Sequence, residues 1–153
     1  MARGTVFYSV LVFVTLVAVL ATITLAIGTP VEINSPHDRI KESQIHIHQD
    51  KIIIDIEGAS WASYADTNSM DPVLDYGANG LELKPKSEDD LFIGDIVAYE
   101  SKITNELIIH RIVDIKEDSQ GKYFILKGDN NITKDPEKVR FSQIKYMLIG
   151  IIY

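Results

Sequence analysis

Residues 107–115 read Leu107-Ile108-Ile109-His110-Arg111-Ile112-Val113-Asp114-Ile115. Isoleucine and valine dominate the run, and β-branched side chains suit a pleated strand better than a helix. Read as a strand, its period of two puts Ile108, His110 and Ile112 on one face. Ile109, Arg111 and Val113 take the other. Working outward, residues 45–48, 51–56, 96–99, 123–127 and 144–153 carry the same β-prone character. Polar turns at residues 101–105 and 118–121 separate some of them. Strands recurring at short spacing predict a compact, mostly antiparallel β domain over residues 44–153. Residues 58–80 are dense in Ser, Asn, Asp, Gly and Pro and read as irregular.

The N-terminus differs in kind. The first 30 residues hold 20 apolar ones, and residues 4–31 carry no charged side chain. About 20 apolar residues suffice for a helix to cross a ~30 Å hydrocarbon core. A single N-terminal transmembrane anchor is therefore expected over residues 1–30, followed by a polar linker over 31–43. A cleaved leader is the competing reading, but the run is far longer than the roughly 7–15 residues of a signal h-region. Arg3 favours a cytoplasmic N-terminus, against Arg39 and Lys41 on the opposite flank. The β domain is then expected on the extracytoplasmic side of a cell or endoplasmic-reticulum membrane, with the bilayer as a partner.

The chain carries a net charge of −7. That acidic excess argues against nucleic acid, which recruits basic patches. There is no cysteine, which excludes disulfides, thiolate catalysis and zinc–thiolate sites.

Four places hold residues able to do chemistry. Ser69 lies in the polar turn Thr67-Asn68-Ser69-Met70-Asp71-Pro72; a hydroxyl on a rigid bend becomes a nucleophile only where a base reaches it. Serines in such turns usually bond their own backbone instead. His110 suits a general base held on a stiff strand, or a half-buried histidine with a structural partner. Lys127-Gly128-Asp129-Asn130-Asn131, with Asp135 beyond it, is a common turn signature. A carboxylate there could fix a histidine tautomer if it reached His110. Asn131-Ile132-Thr133 is also a glycosylation sequon, which a glycan-crowded site would not favour. His46 and His48 share a strand face near Asp50, but no third ligand follows at a recognisable spacing, so no metal or cofactor is expected.

The order of these pieces carries a resemblance. Ser69-Met70-Asp71-Pro72 resembles the Ser-Met-x-Pro box of type I signal peptidases. Gly94-Asp95-Ile96-Val97 is similar to the family's next box. Ile109-His110-Arg111-Ile112-Val113 resembles the box where bacterial members carry a lysine and archaeal and ER-type members a histidine. Lys127-Gly128-Asp129-Asn130-Asn131 is similar to the Lys-Gly-Asp-Asn box. The resemblance spans roughly residues 60–135 and implies the archaeal/ER Ser/His/Asp subtype and its β catalytic fold. It implies a serine endopeptidase with Ser69 as nucleophile, His110 as base and Asp129 orienting His110, while Asp135 matches a second acidic position. Thr67 stands where the family commonly has serine; its hydroxyl would join the Ser69 N–H in an oxyanion hole. Substrates would be signal peptides of exported precursors, and other membrane subunits are possible partners.

Two departures stand beside the resemblance. Residues 73–93 separate the first two boxes where the family usually has only a handful, and the chain ends without a second anchor. A specialised processing protease fits these, as does a catalytically silent, membrane-tethered β binding module. Self-cleaving repressors share the catalytic fold, but their lysine base and DNA-binding domain disagree with His110, the apolar leader and the acidic charge.

Overall fold

In the computed structural model, which describes Tyr8, residues 11–19 and residues 32–153, antiparallel pairing organises nearly everything beyond the leader. Met1–Glu32 and Ile33–Tyr153 are separate compact units. In the first, residues 11–19 are helical, and Thr15 Oγ1 donates back to Leu11 O and Val12 O at 3.1 and 2.9 Å. Among the described residues no helix is long and apolar enough to cross a membrane. Much of the anchor expected over residues 1–30 lies outside the described residues.

The second unit holds eight strands. β1 (Ile45–Ile47) and β2 (Ile52–Ile54) form a two-stranded sheet with Ile45 opposite Ile54. The other six are β3 (Ser60–Ser63), β4 (Asn79–Leu83), β5 (Ile96–Glu100), β6 (Leu107–Asp118), β7 (Gly121–Lys127) and β8 (Ile144–Ile152). They make one sheet in the order β3-β4-β8-β5-β6-β7. The opening run lies in β6, its longest strand, between β5 and the edge strand β7. Leu107 to Arg111 pairs with β5, and pairing to β7 begins at Arg111 and runs to Asp118. His110 thus sits where one neighbour is ending and the other beginning.

The middle of the chain holds more regular structure than expected. Residues 58–80, read as irregular, contain β3 and the first residues of β4. Residues 73–93, read as an insertion, supply β4, which lies between β3 and β8, and bury Leu74, Ala78 and Leu91. The segment is built into the sheet rather than hung from it.

Alternation along β5 feeds two apolar clusters. Val97 and Tyr99 pack with Ile112, Phe124, Leu126 and Met147, whereas Ile96 packs with Met70, Leu74 and Leu148. Fully burying one such side chain is worth about 1.5–3 kcal/mol. The stretch read as a linker is also fastened. His37 N donates to Asp95 Oδ1 at 2.8 Å, its ring stacks on Phe92, and Arg39 pairs with the Asp95 carboxylate. Gly94 has φ 102, and a Cβ there would meet Ser35 O at 2.1 Å. Glycine alone suits that backbone and that approach.

Candidate active site

Strand alternation decides which groups can meet. His110 lies opposite Val97 and points to the Val97, Tyr99 and Ile112 side of the sheet. Arg111, the next residue, points the other way. The two are each nearly buried, 7% and 4% exposed, and each takes its own carboxylate.

His110 Nδ1 lies 2.9 and 2.8 Å from Asp135 Oδ1 and Oδ2. Tyr99 Oη donates to Asp135 Oδ2 at 2.8 Å. Burial and the adjacent Asp135 push the Tyr99 phenol well above its usual range, so it stays a donor. With Nδ1 facing the carboxylate, Nε2 is the nitrogen left to take a proton.

Asp129, expected to orient His110, is engaged elsewhere. It accepts from Arg111 Nε and Nη2 at 2.7 and 2.6 Å. Arg111 Nη1 also donates to Gly94 O at 2.8 Å and Asn34 O at 3.2 Å. The reason is register. The turn after β7 presents Asp129 to the Arg111 face, and six residues later the chain has crossed to the His110 side. There Asp135 N donates to Leu126 O at 2.8 Å.

The same turn holds the serine. Asn130 N donates to Ser69 O at 3.0 Å, and Asn130 Nδ2 to Asn68 O at 2.9 Å. A Cβ on Gly128 would lie 2.5 Å from Ser69 O, so glycine permits that approach. Asn68 adopts φ 57, a left-handed conformation that asparagine tolerates. Ser69 Oγ and Thr67 Oγ1 are hydrogen-bonded at 3.2 Å. Among the described residues no hydrogen bond joins Ser69 Oγ to His110. The segment 128–135 therefore touches the serine's backbone at one end and the histidine's ring at the other.

A cavity of about 640 Å³ opens beside Ser69 and Thr67 and is lined also by Tyr64, Glu82, Ile109 and Tyr146. Tyr64 Oη donates to Glu82 Oε1 at 3.1 Å. Burial holds the Glu82 carboxyl above its usual range, although the Tyr64 hydrogen bond opposes this. Neither was expected as a site residue, because they fall in stretches read as irregular or inserted. Tyr99 was missed as well; the sequence placed it only at the end of a β-prone run over residues 96–99.

His46 and His48 do not converge on a metal. His46 Nε2 pairs with Asp55 Oδ2 at 3.0 Å in an exposed position. Among the described residues no group of three or more His, Cys, Asp or Glu could hold a metal ion.

No family model matches the chain. It is 29% identical over 99 residues to the signal peptidase complex catalytic subunit of Scheffersomyces stipitis, covering 56% of this chain and 60% of that protein. It is 30% identical over 100 residues to the same subunit of Debaryomyces hansenii, with the same two shares. A stretch of 44 residues, 29% of this chain, is 50% identical to an uncharacterised protein of Methanocaldococcus jannaschii and covers 22% of it. The chain thus spans about three fifths of the two yeast subunits it matches. This partial likeness supports a relationship to the signal peptidase family.

Proposed function

We propose that this chain is a membrane-anchored serine endopeptidase that removes signal peptides from exported precursors. One observation carries the reading: His110 is gripped at Nδ1 by Asp135, at the far end of the segment that holds Ser69. In this reading Ser69 Oγ attacks the scissile carbonyl as His110 Nε2 takes its proton. The protonated imidazole, stabilised by Asp135, passes that proton to the departing amine. A water, deprotonated by the same nitrogen, then attacks the acyl carbon and returns Ser69. Thr67 and the Ser69 N–H stabilise the oxyanion, where one lost donor typically costs about 10²–10³ in rate. Arg111 and Asp129 position the turn. Residues 1–30 would hold the domain where precursors emerge, with the N-terminus cytoplasmic, and tethering raises effective concentration without new contacts.

The Ser69 hydroxyl is hydrogen-bonded to Thr67 in this structure, so the proposed attack requires Ser69 Oγ and His110 Nε2 to be brought together. Catalytic hydrogen bonds are often loose before substrate binds. The same observation favours a second reading, a silent binding module of the same fold. Cleavage of a precursor in detergent separates the two. Ser69→Ala and His110→Ala should each abolish cutting, and activity retained in both would exclude the peptidase.

A further inference from the structure

Glu82 lies on β4, where a bulge between Leu81 and Glu82 shifts the register against β8. Bulges re-aim side chains. Gly80 and Glu82 are both buried, two residues apart on one face of the strand. The bare Gly80 lets the Tyr64 ring lie across that face: a Cβ on residue 80 would fall 1.8 Å from Tyr64 Oη. Tyr64 thereby reaches Glu82 Oε1. Glu82 is only 6% exposed, and its other oxygen, Oε2, has no protein partner among the described residues and keeps its contact with solvent on the cavity wall.

A largely buried carboxylate, held by a phenol on one oxygen and open to a cavity on the other, is placed to accept a charge-assisted hydrogen bond from a cation. The cavity it lines offers no lysine or arginine among its described walls, but a second acid, Glu106. Trp61, 58% exposed, also lines the cavity, and an indole face attracts cations. Charge and geometry agree.

We propose that this cleft selects peptides bearing a lysine or arginine side chain, with Glu82 as the specificity-determining acceptor and Tyr64 holding it in place. The inference rests on the peptidase reading for its setting beside Ser69, and it deepens that reading by naming a substrate feature. A cationic head would complete Oε2, keep Glu82 ionised and leave its aliphatic stem against Leu107 and Ile109. Glu106 at the rim would favour its approach.

The test separates binding from cutting. Fluorescent peptides identical but for one residue (lysine, arginine, alanine or glutamate), walked position by position, are titrated against full-length Ser69→Ala protein in detergent. At one position the basic peptides should bind about tenfold or more tightly than the alanine peptide, with the glutamate peptide weakest. Adding Glu82→Gln should collapse that ratio, while Glu106→Gln should lower it less. Equal binding of basic and alanine peptides at every position, binding of none, or a ratio that survives Glu82→Gln in protein with unchanged near-UV circular dichroism would overturn the proposal. If the preference appears but the wild type cleaves no peptide, the peptidase reading fails and the cleft assignment stands.

Discussion

Arg111 and Asp129 form a two-bonded ion pair with side chains only 5% and 4% exposed. It fixes the turn that carries Ser69 on one flank and leads to Asp135 on the other. Removing one partner strands the other charge in the interior, which typically costs about 3–5 kcal/mol. Asp129→Ala should therefore lower the melting temperature strongly, and activity at a temperature where the variant is folded should fall less than in Asp135 variants. A variant as stable as the wild type would show that the pair is not holding the turn.

Asp135→Asn tests the partner of His110. The amide keeps the size of the carboxyl but presents no charge to an imidazolium and permits the wrong tautomer; in a comparable triad this exchange costs about 10⁴ in kcat. A similar loss is expected here, with stability changed far less than in Asp129→Ala. Tyr99→Phe removes one donor to the Asp135 carboxylate and should cost about 1.5–3 kcal/mol of stability. Kinetics and thermal melts on the same preparations distinguish the cases.

Glu82 gives the fold a pH signature. Burial raises its folded-state value above the unfolded one, so between the two the native state binds more protons. Stability from this group then falls as pH rises through that window, beginning at the ordinary carboxylate range. Glu82→Gln should remove that downward component from a series of melts taken from acid to neutral pH. An unchanged slope would mean the buried acid is not titrating as its surroundings require.

Gly80→Ala should displace Tyr64, because its new methyl would overlap the phenol. Overpacking of this sort costs about 1–3 kcal/mol. In a Tyr64→Ala background the same change should cost less, with only Leu148 Cδ1 at 2.8 Å left in its way, and a double-mutant cycle on melting data measures the coupling. A cycle that closes to zero would refute the contact.

Much of the sheet could be read from isoleucine and valine. Residues 107–115 and 144–152 declare themselves because their side chains fit a pleated surface in isolation. β3 and β4 do not. Ser60-Trp61-Ala62-Ser63 and Asn79-Gly80-Leu81 lack that preference, and their conformation is imposed by neighbours, with Leu81 opposite Trp61 and Gly150. Tertiary context overrides propensity there. The site was half legible for a similar reason. Ser69, His110 and the two aspartates were visible as chemistry, but which aspartate meets His110 depends on the register of β7 against β6, which residue types do not encode. The leader shows the opposite limit: its composition suggests a span, and much of it lies outside the described residues.

The segment from Gly128 to Asp135 has one further consequence. Because it seats the serine's carbonyl through Asn130 and the imidazole through Asp135, it works as a caliper whose jaws are set by the number of residues between them. Substitutions at exposed Ile132, whose side chain meets solvent, should be tolerated freely. Deleting or adding a single residue there would close or spread the jaws. Length, more than composition, is what this stretch must preserve.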